Sequence, residues 1–254
     1  MTAIVGIWCR DGIVLGTDSR ATFTSGLVRT IEQPTDHKMR IISGKLMLAG
    51  TGQVGLGQRF ARIVEKAYEE EKIFKGAPVS VATALCQQAV RDFASTDTPK
   101  GQYGALLAFP VEDRLQLCEF AASDFQPELK DAHLWYCSMG SSQPITDPFL
   151  GFFRGIFWRD GPPSVSEGVF VTLWTLRLAI ELNPGGVGGE PVIGVLEKAH
   201  DGKLTARQLS KDELGEHFDA VEAVAEHLRA FRDTHRATTG KGFPDIPGQN
   251  KGAD

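Results

Sequence analysis

The chain opens MTAIVGIWC, with Thr2 directly behind Met1. Removing that methionine leaves Thr2 with a free α-amine beside its own hydroxyl, so one residue carries a nucleophile and the base to activate it. An α-amine ordinarily titrates at ~7.7 to 8.0, which leaves a useful neutral fraction at neutral pH. Asp18 and Arg20, in GTDSR, come just after the second apolar run. If the intervening turn is a three-residue loop with Gly12 left-handed, Cys9 lies opposite Ile13 and Asp18 opposite Ile4, on the face of Thr2. A two-residue loop shifts the register by one and sends Asp18 to the other face.

Other residues with chemical potential form no constellation. His37, His133, His200, His217, His227 and His235 are scattered, without an HExxH pair. Cys9, Cys86, Cys118 and Cys137 lie far apart in apolar stretches with no CxxC spacing, and read as reduced core thiols rather than a zinc site or disulfide framework. The run PGGVGG follows a helical pattern rather than a strand and matches no nucleotide fingerprint, so it reads as a tight turn.

The elements around these residues follow from periodicity. AIVGIWC is apolar at odd and even positions, the pattern of a strand covered on both faces, and IVLGT pairs with it as a hairpin. KMRII, a Ser43-Gly44 turn and KLMLAG form a second hairpin. Leu56, Phe60, Ile63, Val64 and Ala67 recur at helical spacing, and a further helix starts after Pro78. Strands return at YGALLAF, RLQLCEFA, HLWYCSM and PVIGVLEK. Ser164 with Glu167, and Ser210 with Glu213, match the capping box and start two more helices. Strands, two helices, strands and again helices give an α+β chain rather than strict βαβ alternation.

With 254 residues, 42% hydrophobic, the chain is large enough for one sizeable domain. The expected organisation is a single domain over 1–236, with an extra C-terminal helix at about 211–236 and a flexible Gly/Pro-rich tail over 237–254. A net charge of -5 gives no electrostatic reason to expect nucleic acid or an anionic membrane. Apolar runs fall short of the ~20 residues that a membrane span needs, and a cytoplasmic location is expected.

The order TAIVGIWCRDGIVLGTDSRAT, HKMRI, LMLAGTG resembles the N-terminal half of proteasome β-type subunits and the related bacterial N-terminal nucleophile (Ntn) threonine peptidases. GALLAFPVEDRLQL, YCSMGSSQP and AIELNPGGVGGEPVIGVL extend the likeness over roughly residues 2 to 198. The resemblance implies a four-layer αββα sandwich, assembled into homo-oligomeric rings or double rings around an inner chamber. It makes Thr2 the nucleophile of peptide-bond hydrolysis. Lys38 lowers the pKa of the Thr2 amine and steadies developing negative charge, Asp18 pairs with Lys38, and Arg20 supports the same corner. Lys45 in SGKLML is a nearby competitor for the lysine role.

Gly50 resembles the position whose backbone N–H forms the oxyanion hole, and Ser141 the serine that hydrogen-bonds near the terminal amine. Ser141 reads equally as a turn serine. Where the family usually carries an aspartate followed by a serine and glycines, this chain has ELNPGGVGG, with Asn183 and no serine. By motif position Ala21, Leu48 and Gly52 line the substrate pocket, and Leu48 at its floor points to apolar side chains. The expected substrate is a peptide or unfolded protein, no metal or organic cofactor is needed, and an ATPase or other regulator is unspecified. Two other readings stand beside this one: a catalytically weak or inactive ring-forming subunit, and an Ntn hydrolase of small amides.

Overall fold

The computed structural model describes residues 1–25, 28–35, 38–70, 73–99, 101–182, 186–199 and 202–237. Along the chain run β1 (Ala3–Trp8), β2 (Gly12–Thr17), β3 (Arg20–Ser25), β4 (Val28–Pro34), β5 (Met39–Ile42) and β6 (Leu46–Gly52). Then come α1 (Val54–Glu69), α2 (Pro78–Ala94), β7 (Tyr103–Val111), β8 (Arg114–Phe120), β9 (Pro127–Leu129) and β10 (Tyr136–Gly140). The chain continues with α3 (Gln143–Phe157), α4 (Val165–Leu182), β11 (Val192–Lys198), β12 (Leu204–Gln208) and α5 (Lys211–Ala237). Residues 1–210 form one compact unit; α5 belongs to a second, which begins at Lys211. Of the expected tail, residues 238–254 lie outside the described residues.

The first unit is an α+β four-layer sandwich. One antiparallel sheet has the order β10-β1-β2-β11-β12, the other β5-β6-β7-β8-β9. The unbroken apolar runs of β1 and β2 are explained by their central place: one face meets the second sheet, the other meets α4. Ile4, Leu15, Met47 and Leu106 fill the space between the sheets and are fully buried, each such side chain worth about 1.5–3 kcal/mol. On the outer face of the second sheet lie α1 and α2, where Phe60 meets Phe120 and Phe125 edge-on at 5.2 and 5.0 Å. On the outer face of the first sheet lie α3 and α4. A Cβ on Gly16 of β2 would stand 2.4 Å from the Thr172 methyl, so glycine is what allows α4 to lie this close.

The capping box at α4 is reciprocal. Ser164 donates its N–H to Glu167 Oε2 at 2.7 Å, and the Glu167 N–H reaches Ser164 Oγ at 3.3 Å. The same helix start is tied to the first hairpin, because the Val165 N–H donates to Asp11 Oδ1 at 2.7 Å.

That hairpin corrects the three-residue-loop expectation. The Cys9 N–H donates to the Gly12 carbonyl at 2.8 Å, and Ile4 lies opposite Thr17, so Arg10-Asp11 is a two-residue loop. Several elements fall outside the periodicity reading: the β3–β4 hairpin, with a bulge at Phe23/Thr24, the short strands β9 and β12, and α3. Among the described residues no helix is long and apolar enough to cross a membrane.

Candidate active site

Thr2 sits just ahead of β1 and is 8% exposed. Its N–H donates to Ser141 Oγ at 3.1 Å, and its carbonyl accepts a longer bond of 3.4 Å from the Ser142 N–H. This closeness depends on Gly140, at φ +96°, where a Cβ would fall 2.2 Å from the Thr2 carbonyl oxygen. Sheet pairing of β1 with β10, Ala3 opposite Gly140, therefore brings residue 141 under residue 2.

With the two-residue turn, Asp18 continues the register opposite Ala3, not Ile4. The Asp18 N–H donates to the Ala3 carbonyl at 3.2 Å, the bond expected of such a pair. The reciprocal bond is made by the side chain: Asp18 Oδ1 accepts the Ala3 N–H at 3.0 Å. Because β2 ends at Thr17, the carboxylate is free to curl over the strand end, which is how it reaches the terminus despite the shifted register. Asp18 is fully buried and has three donors in all: Ala3, the Gly188 N–H on Oδ2 at 3.1 Å, and Lys38 Nζ on Oδ1 at 2.7 Å.

Lys38 directs a second donor to the carbonyl of Met1 at 3.0 Å, the oxygen of the peptide bond joining Met1 to Thr2. Burial pulls this ammonium below the usual lysine range, against the raising effect of the Asp18 carboxylate. The cation thus bridges a fully buried anion and the peptide whose removal frees the Thr2 amine. A cleft of ≈ 750 Å³ opens in front of it, with Thr2, Lys38, Gly50, Ala21, Leu48 and Gly52 all on its wall.

A model of the proteasome subunit family matches residues 2–144, more than half of the chain and the stretch that contains Thr2, Asp18, Lys38, Gly50 and Ser141. The chain belongs to the proteasome subunit family. An Anbu (Gly-1) mutant from Hyphomicrobium sp. strain MC1 shares the fold with a TM-score of 0.67 at 15% identity, over 92% of this chain and 100% of its own. Anbu from Yersinia bercovieri, described as an ancestral beta-subunit, gives a TM-score of 0.67 at 13% identity, over 99% of this chain and 100% of its own. At these identities the likeness is one of fold. A comparison with curated proteins gives no match.

The other candidates of this proteasome-like subunit differ in how they relate to the corner. Lys45 is directed away from Thr2, to the Leu204 carbonyl of β12, which leaves Lys38 as the lysine at the corner. Arg20 pairs with Glu32 across the β3–β4 hairpin at 3.2 Å, and its guanidinium lies against Gly188. It meets the corner through the Gly188 backbone rather than through Thr2. Gly50 packs under Tyr103, whose hydroxyl lies 2.3 Å from where a Cβ would be. Asn183 lies outside the described residues.

Sequence reasoning missed the part played by the glycine run. Gly188 supplies a donor to Asp18 and an acceptor to the Ser19 N–H at 3.1 Å, Ser19 Oγ accepts the Glu190 N–H at 2.8 Å, and Thr22 Oγ1 donates to the Gly186 carbonyl at 2.8 Å. These bonds clamp the segment over the carboxylate that holds Lys38. The one signal was the glycine density of PGGVGG, which read only as a turn.

Proposed function

We propose that this subunit hydrolyses peptide bonds as a threonine-type peptidase, with Thr2 as nucleophile once Met1 is removed. The free amine accepts the Thr2 hydroxyl proton as the oxygen attacks the substrate carbonyl. Negative charge gathers on the carbonyl oxygen beside the Gly50 N–H, and Lys38 steadies it. As the intermediate collapses, the amine returns its proton to the leaving nitrogen and an ester remains on Thr2. Water, activated by the same amine, attacks that ester, regenerates the hydroxyl and releases the acid. Asp18 keeps Lys38 oriented, and Ser141 orients the amine. The substrate is a peptide or an unfolded protein reaching an inner chamber of a homo-oligomeric ring, in the cytoplasm.

The single observation that supports this reading is the Asp18–Lys38–Met1 carbonyl chain, a buried cation held against the bond that masks the Thr2 amine. A second reading, a ring-forming subunit with little or no turnover, is favoured by Asn183 in place of the usual aspartate, which supplies no negative charge. A peptide epoxide or boronate directed at N-terminal threonine separates the two, with intact mass measured alongside. The peptidase reading expects a chain lacking Met1, one adduct per chain at Thr2, and none on Thr2→Ala. Labelling of Thr2→Ala moves the nucleophile elsewhere. A chain without Met1 that neither labels nor hydrolyses peptides or simple amides supports the second reading.

A further inference from the structure

The cleft in front of Thr2 carries a charge that this chemistry leaves unused. Among its described lining residues two are cations, Lys38 and Arg40, and none is acidic. Lys38 already has its carboxylate in Asp18. Arg40 is exposed and makes no ion pair among the described residues.

Its place on the strand settles which way that charge faces. Met39 of β5 packs into the core between the sheets, so its neighbour Arg40 lies on the opposite face, directly across from Leu48 of β6. Leu48 forms the apolar floor of the cleft and Arg40 stands beside it, while the first turn of α1, on another wall, carries no acidic residue. The guanidinium also acts on Tyr103: burial pushes that phenol up, and Arg40 pulls it back. Tyr103 in turn lies against Gly50.

We infer that this cleft selects an acidic side chain, with the substrate residue on the acyl side of the scissile bond being glutamate or aspartate and its carboxylate pairing with Arg40. The inference rests on the peptidase reading and replaces the apolar preference that Leu48 alone implies. Leu48 packs against the methylene stem of the side chain, and the forked guanidinium donors match a carboxylate in a way a lysine there could not. A basic side chain meets the like charge of Arg40; a leucine covers part of Arg40 and gives nothing in return.

Three fluorogenic peptides that differ only in glutamate, leucine or lysine before the reporter test this on the mature wild-type chain. The expected order of kcat/KM is glutamate, leucine, lysine, with glutamate ahead of leucine by about tenfold or more. Arg40→Gln should erase the lead of glutamate, and Arg40→Glu should invert the order toward lysine. Turnover without a preference for glutamate, or a preference that survives Arg40→Gln, overturns the inference and leaves the peptidase reading standing. Fluorescence anisotropy of the glutamate and leucine peptides on Thr2→Ala supplies the converse arm. Arg40-dependent binding of the glutamate peptide, with no turnover by wild type, keeps the acidic cleft and sinks the peptidase reading. Neither turnover nor selective binding sinks both.

Discussion

Lys130 and Lys38 have side chains 6% and 10% exposed, and their surroundings move them in opposite directions. Burial lowers both. At Lys38 a single carboxylate opposes it and burial wins. At Lys130 the raising effects of Cys137, Glu119 and Glu128 outweigh burial, and the ammonium is held above the usual lysine range. Burial also pushes the Cys137 thiol up, so at neutral pH that sulfur carries no charge and the two carboxylates account for the effect. Glu119 and Glu128 face each other across β8 and β9, a like-charge pair that Lys130 bridges at 2.8 and 2.5 Å. The difference lies in the number of carboxylates and in where the spare donor goes. Lys130 bonds two anions of its own sheet edge; Lys38 holds one, and turns another proton toward the Met1–Thr2 peptide.

The sharpest way to break this contrast is to exchange each lysine for arginine. Lys38→Arg keeps the ion pair with Asp18 but replaces a compact ammonium by a spread, always-charged fork, and peptide hydrolysis should fall by about 100-fold or more. Lys130→Arg should leave hydrolysis untouched; equal behaviour of the two variants ends the comparison. Next in size is Lys130→Met, which strands two facing carboxylates and should cost about 3 kcal/mol in denaturant unfolding, with the activity of the folded fraction unchanged. Asp18→Asn removes the group that raises Lys38, so the alkaline limb of the kcat/KM profile should move to lower pH than in wild type. An unmoved limb would mean that Lys38 does not titrate in the reaction.

The smallest effect belongs to a corner distant in sequence from both lysines. Ser164→Ala should lower stability by about 1 kcal/mol through loss of the α4 cap. Glu167 is held below the usual carboxylate range first by the Ser164 N–H. Its contribution is therefore present above the ordinary glutamate pKa and lost as pH falls through the lowered one. Thermal melts at acidic and neutral pH should show that loss.

What the sequence made legible follows from where each signal resides. Two-sided apolar runs announce β1 and β2, and amphipathic spacing announces α1 and α2, because burial there depends on local order alone. Helix α3 is masked by Pro144, Pro148, Gly151 and Gly155. Pro144 sits in the first turn, where no N–H is needed, and Phe149, Phe153 and Trp174 pack ring to ring at 4.7 and 5.2 Å, so tertiary contacts override weak propensity.

The site divides in the same way. Thr2, Lys38 and Gly50 were reachable from motif order, and the structure brings them to one cleft. The route by which Asp18 arrives was not reachable. Its carboxylate takes the place of its own carbonyl toward Ala3, and its other oxygen is set by Gly188, 170 residues further along, a distance that no local rule spans.

The pairing of Ala3 with Gly140 has a temporal side. Thr2 reaches its serine partner across 139 positions, so β1 leaves the ribosome long before the strand that completes its edge exists. At about 5–20 residues per second, that wait is roughly 7 to 30 s. A nascent chain therefore carries β1 with one edge unpaired through that interval, and the contact between Thr2 and Ser141 can form only after more than half of the polypeptide has been made.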